Sequence, residues 1–378
     1  VGLLAAALTS LAVIHVQNSH FYRPETFAAF FALAGFWGMF QMLERKRFSD
    51  SVLVGGLIGL ALAPKASAAP LLLPLALAYG YRLWDSLRSE RGELQEAPHR
   101  TVVHGTVALL ATALVFVASS PYALLDYKSF AGDLSAQSNM VRNAGIWPFT
   151  VQYVGTTPFL YQIKQTAVFG LGLPLGIVAW LAIPFTAATL FWRTGRRRND
   201  LLILAFILAT MAMLESFEVR FQRYLFTLMP LMILLGARML FSPLSLGGLW
   251  PSAYRQSWGR QPRYPGGWGI FRPLRWIPLV VITGVVVATA FFSLAFQQVY
   301  SQQHPAVTAS QWINANIDPG TRIISDNHWD EFVPDLHGYQ IWQYPVYEPE
   351  TISKMEILAQ RLEDSNYLVF YSNRPFTS

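Results

Sequence analysis

The sequence predicts an all-α polytopic membrane protein of about nine spans with a small extracytoplasmic α/β domain at the C-terminus. Three observations lead there. Of the 378 residues, 53% are hydrophobic and only 13% charged, whereas a soluble globular chain carries about a quarter charged residues. Apolar runs long enough to matter in a bilayer recur up to residue 297, separated by short loops that hold most of the basic residues. Beyond residue 298 the pattern changes to short helix-like and strand-like segments in alternation. The formal charge of +6, concentrated in those loops, points to membrane orientation and away from nucleic-acid binding. The absence of cysteine excludes disulfides and thiolate chemistry.

A membrane helix needs about 20 mostly apolar residues. Candidate spans are 1–16, 25–43, 51–63, 66–83, 101–120, 166–192, 200–216, 223–241 and 276–297. Val1 lies inside an apolar run with no basic leader, so a signal peptide is not expected there. That run reads as a chain entering partway through a membrane helix. The third and fourth spans are one apolar region interrupted by Ala63-Pro64-Lys65-Ala66. It can be one kinked helix or two helices turning at Pro64-Lys65. Two helices put Arg45/Lys46/Arg47, the 82–100 segment, Arg193/Arg196/Arg197/Arg198 and the 242–275 connection on one side. By the positive-inside rule that side is the cytoplasm. The expected domains are therefore 1–298, membrane-embedded with a cytoplasmic linker at 242–275, and 299–378, extracytoplasmic. Within the latter, Thr308–Ile317 and Glu350–Leu362 read as helices, Asp318-Pro319-Gly320 as a turn, and Thr321–Ser325 and Tyr367–Tyr371 as strands.

The stretch 215–226 is the most informative. It sets Glu215, Glu218, Arg220 and Arg223 between two apolar runs, where charge is costly and usually marks an ion pair or a substrate path. On a helix, Arg220 and Arg223 would share a face, a repulsive arrangement until an anion arrives. Both also fall on the outer side, where the orientation rule makes basic residues scarce. Lys65 is either a snorkelling lysine at a helix end or a further cation for that anion. Residues 15–26 offer His20, Tyr22 and Glu25 as a polar cup for a sugar; the plain alternative is helix capping behind Pro24. The outer segment 119–165 is long and aromatic. Asp126, Gln152, Tyr153 and Tyr161, with Tyr122 and Trp147 nearby, are compatible with sugar stacking and equally with an interfacial belt. Asp326, His328, Asp330, Glu331 and His337 match no closed zinc spacing, and a solvated polar loop is the simpler reading. No Walker loop, Gly-rich phosphate fingerprint or nucleophile elbow occurs.

Four stretches together carry a family likeness. They are Ser19-His-Phe-Tyr-Arg-Pro-Glu-Thr26, Gly59-Leu-Ala-Leu-Ala-Pro-Lys65, Pro121-Tyr-Ala-Leu-Leu-Asp126 with Gln152-Tyr-Val-Gly-Thr-Thr-Pro-Phe-Leu-Tyr161, and Arg220-Phe-Gln-Arg-Tyr-Leu225. Ser310-Gln-Trp-Ile313, Trp329-Asp330 and Ser372-Asn-Arg374 look like the outer domain of a bacterial subgroup. The chain resembles the bacterial GT-C class membrane glycosyltransferases, those related to dolichyl-phosphate-mannose–protein mannosyltransferases and to aminoarabinose transferases of lipid A. That resemblance implies a GT-C-like helical bundle in the bacterial cytoplasmic (inner) membrane. It implies sugar transfer from a polyprenyl-phosphate donor to a lipid, glycan or protein acceptor on the outer face. Arg223 matches a position that binds the carrier phosphate in relatives, and Lys65 and Arg220 join it as phosphate ligands. The family's general base is an aspartate in the first outer loop, expected upstream of residue 1, and no residue here matches it. Glu25 stands where relatives often have Asp. A divalent cation is the one cofactor left open. The alternative from another class is a transporter or flippase for an anionic lipid or solute, which would favour inverted repeats and discontinuous helices.

Overall fold

The computed structural model describes residues 1–88, 97–191, 197–246, 276–326 and 334–370. Arg193, Arg196, most of the 242–275 connection, the 327–331 polar loop with His328, Trp329, Asp330 and Glu331, and Ser372–Arg374 lie outside the described residues. The chain divides into two compact units. The first holds Val1–Ala131, Pro158–Glu215 and Phe221–Leu294; the second holds Gly132–Thr157, Ser216–Arg220 and Ala295–Ser378. Beyond 299–378 the second unit thus also holds Gly132–Thr157, which includes most of the helix Tyr127–Arg142, the short segment Ser216–Arg220 and residues 295–298.

The first unit is helical throughout its described residues. Its elements are α1 (Gly2–Leu11), α2 (Val13–His20), α3 (Pro24–Arg45), α4 (Phe48–Leu62), α5 (Leu72–Arg88), α6 (Pro98–Ser119), the short α7 (Tyr122–Leu125), the start of α8 (Tyr127–Arg142), α9 (Leu160–Gln165), α10 (Leu173–Thr189), α11 (Arg197–Glu215), α12 (Met229–Leu246) and most of α13 (Ile277–Ser301). Local chemistry sets their ends. In α3, Pro24 occupies the first turn with Glu25, Arg45 sits in the last turn, and Lys46 closes the helix in the left-handed region at φ 55°. That is the charge order a helix dipole favours. In α4, the Asp50 side chain accepts from the Arg47 backbone N–H.

Among the described residues three helical stretches are long and apolar enough to cross a membrane: Pro24–Arg45, Pro98–Ser119 and one within Ile277–Asn316. The pair α1–α2, bent by 59° at Ala12, makes a fourth if it counts as one span. Three of the other expected spans, 66–83, 166–192 and 223–241, are shorter as helices because 3-10 or π turns occupy part of them, at Ala66–Leu71, Thr166–Gly170 and Gln222–Leu225. The expected 166–192 span, for example, breaks at Gly172, whose φ of 77° lets the chain turn into Pro174.

The region 48–88 is a helical hairpin. Near the start of α4 and the end of α5, the buried Arg82 reaches the Lys46 carbonyl at 3.5 Å and His104 Nδ1 at 2.9 Å. At the opposite end Ser120 Oγ lies 3.5 Å from the Ala63 carbonyl. The chain thus reverses around Pro64-Lys65. Asp85 pairs with Arg198 through two hydrogen bonds at 2.5 and 2.6 Å, and Asp200 pairs with Arg238. These contacts gather 45–47, 82–85, 198–200 and Arg238 at one end of the bundle.

The tightest packing is α4 on α6. A Cβ on Gly55 would lie 2.2 Å from the Ala108 carbonyl oxygen, and one on Gly59 would lie 2.6 Å from that of Thr112. Two glycines one turn apart let the two helix backbones touch, as small residues do where helices pack closely.

The second unit holds a three-stranded parallel sheet in the order β2-β1-β3, with β1 Arg322–Asp326, β2 Gln340–Tyr344 and β3 Tyr367–Val369. Its helices include α14 (Pro305–Asn316) and α15 (Ile352–Asp364). Successive strand residues point to opposite faces. Ile323 accordingly packs with Ile313, Ile317 and Leu336, while Ile324 packs with Tyr344, Val346 and Tyr347, against Leu358 and Phe149. Phe149 explains why the 132–157 segment belongs to this unit. β2 was not anticipated. It is an edge strand with four of five side chains exposed, so it carries no apolar alternation. Lys354 is buried and spends its ammonium on the Val346 and Glu348 carbonyls and the Glu350 carboxylate, at 2.8 to 3.1 Å.

Gly55→Val is expected to push α4 off α6 and to cost about 3 kcal/mol, the upper range for forced overpacking. A thermal unfolding midpoint of the detergent-solubilised protein equal to wild type would contradict the close approach.

Candidate functional site

Three charged residues from distant parts of the first unit meet at the bundle end opposite Arg82 and Arg198. Glu25 is placed by the turn from α2 into α3. There Tyr22 takes the left-handed conformation at φ 51°, and the Arg23 N–H donates to the Asn18 carbonyl. Pro24 then starts α3 and carries Glu25 inward to 4% exposure. Lys65 follows Pro64 at the tip of the α4–α5 hairpin, in extended backbone before the 3-10 turn. Arg223 sits on the 3-10 turn 222–225, between Phe221, whose ring its guanidinium covers at 4.7 Å, and Tyr224.

Lys65 Nζ donates to Glu25 Oε1 at 2.8 Å, and Arg223 Nε lies 3.8 Å from the same oxygen. Glu25 Oε2 is buried with no hydrogen-bond partner. Lys65 also stands over the Tyr224 ring at 5.2 Å, a cation–π contact. Burial pushes the Lys65 ammonium below the ordinary lysine range; the adjacent Glu25 carboxylate opposes that shift, and Arg223 adds to it. Two cations thus share one carboxylate oxygen, leaving a net positive charge. The three side chains are unequal in access: 5% exposed for Glu25, 17% for Lys65 and 38% for Arg223. The carboxylate is the buried anchor and the guanidinium is the open face. An anion about 4 Å from one of these cations gains about 4 kcal/mol at an effective dielectric of about 20.

The other residues singled out in the sequence are placed as follows. Arg220 belongs to the second unit, 5% exposed, where Nη1 donates to Thr156 Oγ1 at 2.6 Å and to the Thr156 and Glu218 carbonyls at 3.2 Å. The helical spacing expected for Arg220 and Arg223 does not apply, because α11 ends at Glu215 and the chain runs without regular structure to Phe221. The glutamates of the stretch serve as loop ties. Glu215 accepts from the Phe159 N–H at 2.8 Å within the first unit, and Glu218 accepts from the Ala144 N–H at 2.7 Å within the second. Gln152 and buried Tyr153 also lie in the second unit, and Gln152 donates to the Phe149 carbonyl. In the first unit His20 lies edge-on to Phe21, and Tyr22 is 79% exposed beside Phe27. Asp126 is exposed and accepts from the Ser129 N–H, and Tyr161 is half-buried on α9. His337 is exposed and pairs with Asp335. Among the described residues no group of three metal-ligating side chains converges.

Two residues at the cluster escaped the sequence reading. Tyr224 lies under the Lys65 ammonium and directly follows Arg223 on the same turn. Gln222 donates to the Gln165 carbonyl at 2.8 Å. Their adjacency to Arg223 was visible, but nothing in a linear sequence reveals what they face. No protein-family profile, curated protein or solved structure matches this chain.

Glu25→Gln leaves the Lys65 ammonium buried without its counter-ion and is expected to lower stability by about 2–3 kcal/mol, below the usual cost of breaking a fully buried pair because Lys65 retains some access to water. Adding Lys65→Met should restore most of that loss in thermal unfolding. A double variant as unstable as the sum of the singles would show that the two do not pair.

Proposed function

We propose that this chain is a polytopic membrane glycosyltransferase that moves a sugar from a polyprenyl-phosphate donor to an acceptor at the outer face of the bacterial cytoplasmic membrane. The observation that carries the reading is the convergence of Lys65 and Arg223 on the buried Glu25 carboxylate. It leaves fixed positive charge at the end of the bundle away from Arg82, Arg198 and Arg238. Basic side chains normally collect on the cytoplasmic side, so cations held at the other end call for an anionic ligand. The chain resembles GT-C class enzymes in the stretches that supply all three residues.

In the proposed reaction an acceptor oxygen attacks the anomeric carbon in a single displacement with inversion. The bond from that carbon to the phosphate oxygen breaks, and its electron pair stays on the polyprenyl phosphate. The acceptor's proton passes to a general base left unassigned. Negative charge grows on the phosphate as the bond breaks, and cations positioned beforehand stabilise it without reorganisation. Arg223, the most open of the three, would contact the phosphate directly. Lys65 would contact it from the floor, steered by Glu25 and Tyr224. His20, Tyr22 and Glu25 would face the sugar or acceptor, with Asp126 and Tyr161 on the same unit as candidates for the rim. Arg220, Gln152 and Tyr153 hold together a loop of the second unit, so their contribution would be to shape that loop. The prenyl tail can lie among apolar side chains at bilayer depth, and no cytoplasmic nucleotide site is needed. The bend at Ala12 between α1 and α2 is a feature that a transporter for an anionic lipid would share. Turnover separates the two readings.

Arg223→Ala in the full-length protein is expected to cut sugar transfer from a polyprenyl-phosphate donor by about a hundredfold to a thousandfold, as loss of one preorganised donor does. Membrane insertion should be unchanged. Wild-type turnover in this variant would overturn the assignment.

A further inference from the structure

Lys65 is held to Glu25 by a hydrogen bond, but Arg223 is not. Its Nε stands 3.8 Å from the carboxylate oxygen, beyond hydrogen-bonding range. The guanidinium also covers the ring of Phe221, the residue just before the turn, at 4.7 Å, so its position depends on the 221–225 segment that carries both. That turn is short, a single 3-10 segment from Gln222 to Leu225, closed by the Tyr224 N–H on the Phe221 carbonyl and the Phe226 N–H on the Arg223 carbonyl. A segment this short has little stiffness of its own. Its C-terminal side is pinned by burial: Leu225 and Phe226 are fully buried, and the Phe226 ring lies 4.3 Å from that of His15.

The N-terminal side is pinned differently. Gln222 Nε2 donates to the Gln165 carbonyl at 2.8 Å. Gln165 immediately precedes the π turn Thr166–Gly170, and that turn supplies a gap for the amide. A Cβ on Gly170 would stand 2.5 Å from Gln222 Nε2 and 3.3 Å from its Cδ. Gly170 has no positive φ, so conformational freedom is not what glycine provides here. What it provides is room. The nearest atoms belong to the end of a flexible side chain, so an alanine would be accommodated by swinging the Gln222 amide away, at the loss of its bond to Gln165.

We propose that Gly170, Gln165 and Gln222 form a latch that positions Arg223, with Gly170 and Gln222 as positioning residues that never touch the ligand. The latch rests on the reading of Arg223 as a phosphate-binding group, and it adds a distinct statement: the geometry of Arg223 is set from the π turn behind it more than by Glu25 in front. With the latch open, the 222–225 turn keeps its buried C-terminal anchor and loses its other one, so Arg223 samples orientations that no longer face the anion held by Lys65.

The test uses the full-length protein in lipid nanodiscs as wild type, Arg223→Ala, Gly170→Ala, Gln222→Ala and the Gly170→Ala/Gln222→Ala double variant. One measurement is the Kd for an added polyprenyl monophosphate. The other needs no lipid ligand: the rate at which phenylglyoxal modifies Arg223, read by peptide mass spectrometry. Gly170→Ala and Gln222→Ala should each weaken lipid-phosphate binding about tenfold, the scale of one hydrogen bond, and each should change the labelling rate of Arg223 severalfold. The double variant should match the singles, because both remove the same bond. Wild-type Kd and labelling in Gly170→Ala would overturn the latch, as would additive effects in the double variant. A wild-type chain that fails to bind the lipid phosphate, with labelling altered as expected, would reject the polyprenyl-phosphate reading and leave the latch standing. Lower thermal stability with unchanged Kd and labelling would reduce the two residues to packing and reject the positioning role.

Discussion

One buried carboxylate organises the charged cluster at one end of the helical bundle. Glu25 presents a single oxygen to both Lys65 and Arg223, and those residues come from the start of α3, the tip of the α4–α5 hairpin and the turn before α12. Without the carboxylate, two cations would face each other at low dielectric, which is strongly unfavourable. With it, Lys65 is bonded in place, Arg223 stands 3.8 Å from the same oxygen, and the cluster keeps a net positive charge. Glu25 Oε2 remains buried without a partner, and an unmade hydrogen bond of that kind costs about 1–3 kcal/mol.

The rest of the first unit makes that convergence feasible. Lys65 reaches Glu25 because the chain reverses at Pro64, and the reversal is secured at the far end by Arg82 on Lys46 and His104. The hairpin is kept close to α6 by Gly55 and Gly59. Arg223 reaches the same point because α11 stops at Glu215 and a non-helical segment carries the chain to a 3-10 turn. The four charges of that segment, which look like one cluster in the sequence, are divided among separate tasks. Glu215 and Glu218 tie loops through backbone N–H groups, Arg220 clamps Thr156, and Arg223 joins Glu25 and Lys65.

Much of this was legible in the sequence, and the failures have identifiable causes. The apolar runs mark where helices lie, and the chain does reverse at Pro64-Lys65, the break the sequence shows in that apolar region. Glu25, Lys65 and Arg223 each stand out as a charge among apolar neighbours. What a linear sequence does not contain is that the three share one oxygen atom, because sequence separation says nothing about which helix ends meet. Helical spacing groups Arg220 with Arg223, yet that rule holds only inside a helix, and residues 216–221 are outside one. Apolar runs also overstate helix length, since the 3-10 turn at 66–71 and the π turn at 166–170 are as apolar as the helices they interrupt. In the second unit, Ile323 and Ile324 announce β1 by their burial on two faces. β2 does not announce itself, because an edge strand with Gln340, Ile341, Trp342 and Gln343 exposed has no alternating pattern to find. Gln222 and Gly170 are unremarkable residues whose meaning lies entirely in a contact.

The central proposal is that Lys65, bonded to Glu25, and Arg223 beside the same oxygen together hold a lipid-linked phosphate. A high-resolution structure of the protein in a lipid nanodisc with a polyprenyl monophosphate tests it most directly. The account places the phosphate within hydrogen-bond distance of both Lys65 Nζ and the Arg223 guanidinium, with Glu25 still on Lys65. A phosphate bound elsewhere, with the Glu25–Lys65–Arg223 cluster closed and untouched, would contradict it.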